Sequence, residues 1–181
     1  MMDVYLDKTY FKHSARHQAI EMYALAGLGF LIPFAIGHPQ LLVGAAVNAL
    51  IIRASLSLPL SRALPVLVMP SVGALARGLV FGPYTVYLLY MIPFIWIGNA
   101  ILFTAFKAKA GFKLKYRWKL LAGCLAKAGF LYGSAYVLYS AGIVPALFLT
   151  AFGILQLVTA LMGGAIAYPP VFLEKRVTRS L

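Results

Sequence analysis

Residues 84–106, YTVYLLYMIPFIWIGNAILFTAF, form an apolar run without a formal charge. A helix crosses the hydrocarbon core of a bilayer with about 20 apolar residues, so this run is long enough to span. Inside it lie Pro93, which has no backbone N–H, and Asn99, whose amide needs hydrogen-bond partners. Hydrocarbon supplies none, so the face carrying both is expected to meet protein or a water-lined cavity. Composition extends the conclusion beyond one segment. Of the 181 residues 62% are hydrophobic and only 11% charged, far from the usage of a soluble domain. An all-α, multi-pass membrane protein is the expected class.

In chain order, residues 1–18 form a polar and aromatic leader with Asp3, Asp7, Lys8, Lys12 and Arg16. It lacks the basic start, apolar middle and small-residue cleavage site of a signal peptide and is expected to be retained. It is open to two readings, a short interfacial helix or a frayed tail. Six hydrophobic segments follow, near 19–36, 40–58, 62–81, 84–106, 118–140 and 143–167. Pro169-Pro170 is expected to end the sixth, leaving a tail over 168–181. The whole chain reads as one membrane domain, with 19–167 as a six-helix bundle.

Six spans put both termini on one side of the membrane, and the basic residues choose the side. With Arg53 taken as snorkelling to the end of its segment, every Lys and Arg except Arg77 and Lys127 falls in the leader, in the connection after segment two, in the loop KAKAGFKLKYRWK after segment four, or in the tail. The turns around His38, Pro83 and Ala141 hold none. That asymmetry predicts cytoplasmic termini. It also accounts for the net charge of +12 through topology and anionic lipid headgroups rather than nucleic acid. Tyr116 and Trp118 suit the inner interface, and Tyr84, Tyr87 and Tyr139 the outer one. A single Cys124 and three dispersed histidines leave no disulfide framework, cluster or metal site to expect, and no cofactor. There is no phosphate-binding G-x-x-x-x-G-K-[ST] loop and no nucleophile–base set, so the chain is not expected to be an enzyme.

Four stretches carry a family resemblance: HPQLLVGAAVNALII from His38, ALPVLVMPSVGALARGLVFGP from Ala63, MIPFIWIGNAILFTAFK from Met91, and LQLVTALMGGAIAY from Leu155. Together they resemble the substrate-binding S components of energy-coupling factor transporters, and more narrowly a group of small S-component-like proteins of anaerobes and archaea that often bear an "iron hydrogenase" label. The lone Cys124 speaks against that label. The resemblance covers helices two to four and six. It implies a subunit that captures a vitamin, metal or related micronutrient from outside. Its partners would be a transmembrane coupling subunit and two cytoplasmic ATPases. It further implies a pocket near the outer face, built from helices four to six and the first and third turns, and coupling through small-residue faces such as A-x-x-x-A in helix one. Ala15 and Ala19 have that spacing, ahead of the apolar core of the first segment. The alternative is a structural or assembly subunit of a membrane complex, which predicts that the space between helices four to six is filled by apolar side chains.

Within this frame the polar and aromatic residues of the spans are candidates for the site. Arg77 lies about five residues before the outer turn, roughly 7 Å of helix. It either meets an anionic group of the substrate or serves headgroups and helix dipole ends. His38 stands at the outer mouth beside Pro39, either to contact a substrate or a metal with help from Tyr84 or simply as a polar turn residue, and Trp96 is either substrate-holding or packing. Tyr132, Tyr136 and Tyr139 share one face of helix five, either as a substrate-holding stripe or as packing and interface belt. Asn48, Asn99 and Gln156, in three different helices, are expected to hydrogen-bond across the bundle. Lys127 is expected to snorkel toward the inner surface, and Glu21 to favour the positive end of the first helix.

Overall fold

The structure, a computed structural model, describes residues 15–78, 82–107 and 116–179. The described chain is helical throughout, with no strand: α1 (Ala15–Ala35), α2 (Gln40–Ser57), α3 (Leu60–Arg77), α4 (Leu88–Lys107), α5 (Tyr116–Ser140), α6 (Leu147–Phe152) and α7 (Ile154–Arg179), with a 3-10 turn over Gly82–Tyr87 leading into α4. Five helical stretches are long and apolar enough to cross a membrane: Ala15–Ala35, Gln40–Ser57, Tyr84–Lys107, Tyr116–Ser140 and Leu147–Tyr168. The 18-residue α3, with Arg62 near its start and Arg77 at its end, is not among them. The interfacial leader expected over 1–14 and most of the basic loop, 108–115, lie outside the described residues.

The helix boundaries follow from backbone chemistry. Pro39 and Pro59 stand at the amino-terminal caps of α2 and α3 in extended conformations, where a missing N–H costs nothing. Gly37, Gly78 and Gly142, just beyond α1, α3 and α5, have φ of 63°, 71° and 70°, the left-handed backbone that ends a helix without a Cβ clash. Gly78 stops α3 four residues after Ala74, so the third helix ends short of the expected residue 81. Prolines inside the helices do not end them: Pro33, Pro65, Pro70 and Pro93 all lie within helical runs. The same holds at Pro169-Pro170, expected to end the sixth segment, through which α7 runs on to Arg179. A proline's φ suits the helix, and its effect is one missing hydrogen bond and a bend. The sixth segment is broken instead at Gly153, with φ −99° and ψ −102°, between α6 and α7.

Close pairs of helices build the bundle: α1 packs on α3, α2 on α7 and α4 on α5. Glycines permit the first two contacts. A Cβ on Gly73 of α3 would collide with the Phe30 carbonyl of α1, and one on Gly163 of α7 would lie 2.6 Å from Asn48 Cβ and 2.8 Å from the Ala45 oxygen of α2. Ala45 and Ala49, paired by small-residue spacing, are both buried at this α2–α7 contact. Two apolar cores result. One gathers Ile51, Ile52, Val66, Leu67, Leu102, Phe103 and neighbours; the other gathers Leu88, Met91, Leu131, Val144, Phe148 and Phe152. Around them the outer surface is also apolar, with Leu28, Leu31, Leu89, Ile97, Leu125, Val137 and Ile166 all exposed.

Cations serve the helix ends. Arg77 Nη1 donates to the Phe34 and Ala35 carbonyls at 2.8 and 2.7 Å, capping α1. Lys119 Nζ donates to Phe106 O at 3.1 Å, near the end of α4, and Arg62 Nη1 donates to Ala15 O at 2.7 Å. Positive charge is favourable at the carbonyl-rich carboxyl ends of α1 and α4, whereas Arg62 reaches the first residue of α1 and links α3 to it without that benefit. Arg53 does not simply reach out to the membrane surface: its Nη2 lies 2.9 Å from Glu21 Oε1, tying α2 to α1. Glu21 is the seventh residue of α1, beyond its first turn, so the ion pair with Arg53 replaces the helix-end role expected of it.

Candidate functional site

Along α4, Asn99 falls between the residues of one apolar core and those of the other; along α5, Lys127 does the same. Lys127 is eleven residues into α5, roughly 16 Å of axial rise, about half the thickness of a hydrocarbon core. From that depth one side chain does not reach either surface. Lys127 accordingly turns inward, with 2% of its surface exposed. Its Nζ donates to Asn48 Oδ1 at 2.6 Å and to Asn99 Oδ1 at 2.8 Å.

Both amides are oriented by their other ends. Asn48 Nδ2 donates to Gly44 O at 2.9 Å and to Thr159 Oγ1 at 3.3 Å, while Asn99 Nδ2 donates to Leu67 O at 2.8 Å. Thr159 in turn donates to Gln156 O at 3.2 Å. With each NH2 group held by an acceptor, each carbonyl oxygen is left facing the lysine. Five helices, α2, α3, α4, α5 and α7, are joined through this one network. Its members are almost fully buried, where unmade hydrogen bonds are costly, so satisfaction of the amides fixes how the helices register.

The network forms the floor of a cavity of about 120 Å³. Asn48, Asn99, Lys127, Gln156 and Thr159 supply its polar surface together with Ser71 and Gln40. Its walls are mostly apolar, among them Pro33, Val47, Leu88, Ile95, Phe152 and Leu155. The cavity extends to Gly37, Gln40 and Leu41 at the turn between α1 and α2, where Leu41 is exposed. A water needs about 10–15 Å³ on this measure, so the space holds several waters or a small solute.

The expected site residues distribute differently from their sequence reading. Asn48 and Asn99 do bond across the bundle; Gln156, expected to do the same, lines the cavity without a side-chain hydrogen bond among the described residues. Arg77 does not line it: its Nη1 is occupied by the end of α1. His38 is exposed on the α1–α2 turn and also lies outside the lining, although Gly37 and Gln40 on either side contribute. Tyr132, Tyr136 and Tyr139 are 46%, 53% and 42% exposed, so this face of α5 points out of the bundle and supports the packing and belt reading. Trp96 is partly exposed and donates from Nε1 to Ser71 Oγ at 2.8 Å, a link from α4 to α3. Tyr84 is exposed near the start of the fourth segment, with its ring 6.3 Å from that of Tyr87. Tyr116, expected at the inner interface, is instead buried and donates to Gly164 O at 2.8 Å, because its ring packs between Phe106 and Tyr168. Ala15 and Ala19 lie within the first two turns of α1, which begins earlier than the expected residue 19; Ala15 is exposed.

Two features escaped the sequence reading. Lys127 was expected to reach the inner surface, and Thr159 was not singled out. The cavity overlaps the place that the resemblance implies without coinciding with it: Leu88, Ile95, Asn99, Lys127, Phe152 and Gln156 come from the fourth to sixth segments and Gly37 from the first turn, while Pro33, Asn48 and Ser71 bring the first three helices into the lining. Where α6 meets α4 and α5 the packing is apolar, with Leu88, Met91, Leu131, Val144 and Phe148. No protein-family model, no curated protein and no solved structure matches the chain.

Proposed function

We propose that the chain is a multi-pass protein of the cell membrane, with six spans and cytoplasmic termini, that captures a small solute as the substrate-binding subunit of an energy-coupling factor type importer. Five helices of sufficient length and apolarity support the membrane location, as do leucines, isoleucines and valines on the outside of the bundle. In the six-span reading α3 is the remaining crossing, about 27 Å long, with its terminal arginines near the two surfaces. The lysine-rich connections then face the cytoplasm and the α1–α2 turn faces out.

The observation that carries the capture reading is the cavity that runs from that turn to the buried polar floor around Lys127. A bundle with a purely structural role has no need of an opening that ends on a hydrogen-bonded lysine. The chain has no nucleotide-binding loop, so ATP hydrolysis belongs to partners in this reading. The four stretches beginning at His38, Ala63, Met91 and Leu155 support the importer class specifically. Isolation of the tagged protein from native membranes, followed by mass spectrometry, tests it. A coupling subunit and two ATPase subunits in stoichiometric amounts are expected; a stable preparation lacking ATPases overturns the importer assignment.

The alternative is an assembly subunit without its own ligand. Apolar packing where α6 meets α4 and α5 is in its favour, but α6 is only the start of the sixth segment, and Asn99, Lys127 and Gln156 of the fourth to sixth segments line a cavity that this reading predicts to be filled. In the same preparation it predicts partners of a different enzyme complex in place of ATPases.

A further inference from the structure

Lys127 is the one described cation that lines the cavity, and none of its hydrogen bonds is to a carboxylate. Among the described side chains the single carboxylate is that of Glu21, and it lies 2.9 Å from Arg53. The acceptors on Lys127 are two neutral amide oxygens, while an ammonium has three donors. A buried ion needs a counter-charge as well as hydrogen bonds, and neutral amides supply only the second. The side-chain donors that remain for a bound molecule include the third N–H of Lys127 and the amides of Gln156 and, nearer the α1–α2 turn, Gln40, both of which line the cavity and make no side-chain hydrogen bond among the described residues. The hydroxyls of Ser71 and Thr159 already donate to the Val68 and Gln156 carbonyls.

We infer that the cavity binds a small monocarboxylate, its carboxylate on Lys127 and Gln156 and its apolar body against the walls toward the α1–α2 turn. One lysine at the floor matches one negative charge. The 120 Å³ space is several times what one water needs and suits a small carboxylate rather than a large one. Walls built from proline, leucine, isoleucine and phenylalanine favour an unsubstituted hydrocarbon or aromatic body over a sugar or a nucleotide. Asn48 and Asn99 are positioning residues, since their oxygens hold Nζ at the floor and their NH2 groups point to protein acceptors. The inference deepens the capture reading and depends on the cavity being a solute site; it does not depend on the identity of the partners.

The test uses the full chain in phosphatidylcholine nanodiscs, which hold no anionic lipid to compete. Three carboxylates, acetate, butyrate and benzoate, are compared by calorimetric titration with their near-isosteric neutral amides. At least one carboxylate is expected to bind about tenfold or more tighter than its amide, the size of one charge-assisted hydrogen bond. Lys127→Met is expected to abolish that preference, and Gln156→Leu to reduce it severalfold while leaving the fold intact. Equal affinities for acid and amide in the wild type, no binding of any carboxylate, or a preference that survives in Lys127→Met overturns the inference. If Lys127→Met does not fold, the acid–amide comparison on the wild type and Gln156→Leu decides. ATPase copurification is a separate readout, so failure of carboxylate binding and failure of the importer reading are distinguishable.

Discussion

At the scale of single residues, the bundle is organised around a buried lysine that lies too deep to reach either membrane surface. Its two amide partners lie on α2 and α4, 79 and 28 residues from it in sequence, so the contact exists only after three helices have packed. Asn99→Leu removes one acceptor and leaves a Lys127 N–H unsatisfied in the interior. A loss of about 2–3 kcal/mol is expected, because a buried charged group deprived of a partner suffers its full desolvation penalty. Thermal unfolding of the purified protein in detergent measures it. In the double variant Asn99→Leu/Lys127→Met the two losses are expected to be strongly non-additive, since both remove the same contact; additive losses show that the hydrogen bond is not energetically coupled. Arg77→Ala is expected to behave differently. It removes the cap on α1, costs about 1 kcal/mol in the same measurement, and leaves solute binding unchanged.

At the scale of elements, the α2–α7 pair depends on backbone proximity at Gly163. Gly163→Val places a Cβ and its two methyl groups against Asn48 Cβ and the Ala45 carbonyl, and the helices have to separate. This substitution is expected to destabilise by about 3 kcal/mol or more and to disturb Asn48 with it, so solute binding falls as well. Unfolding midpoints together with a binding titration check both parts; a variant with native stability shows that α7 can shift freely on α2. Gly129→Ala supplies the control, because nothing lies within 4 Å of a Cβ there. It is expected to be neutral or slightly stabilising, as alanine is the better helix former.

At the scale of the whole molecule, the proposed orientation rests on where the cations are. In a Cys124→Ala background, a cysteine introduced at His38 is expected to react with a membrane-impermeant maleimide on intact cells. One introduced at Lys113, in the basic loop outside the described residues, is expected to react only after permeabilisation. The reverse pattern turns the protein over and places the cavity mouth by the α1–α2 turn on the cytoplasmic side, which is incompatible with capture from outside.

Much of this molecule is legible along the chain, because apolar runs, glycine and proline signals and charge placement are properties of neighbouring residues. The helical class follows from them, as do five of the six expected crossing runs and the turns near Gly37 and Gly142; the stop of the third helix at Gly78 was not read. Bonding across the bundle by Asn48 and Asn99 was also expected, since a membrane helix offers an amide few other partners. The function given to Lys127 was not legible, although its depth in α5 is a local signal that the lysine is too far from either end to snorkel. Which way α5 rotates decides whether Lys127 or the Tyr132, Tyr136 and Tyr139 face turns inward, and that rotation depends on packing against α4 and α7. The same dependence explains Arg77, whose attraction to the end of α1 arises only once α1 lies beside α3. Sequence thus determined which segments are helical and apolar; only the tertiary structure decided which polar side chain each helix presents to the centre, because that choice is made by contacts between residues far apart in the chain.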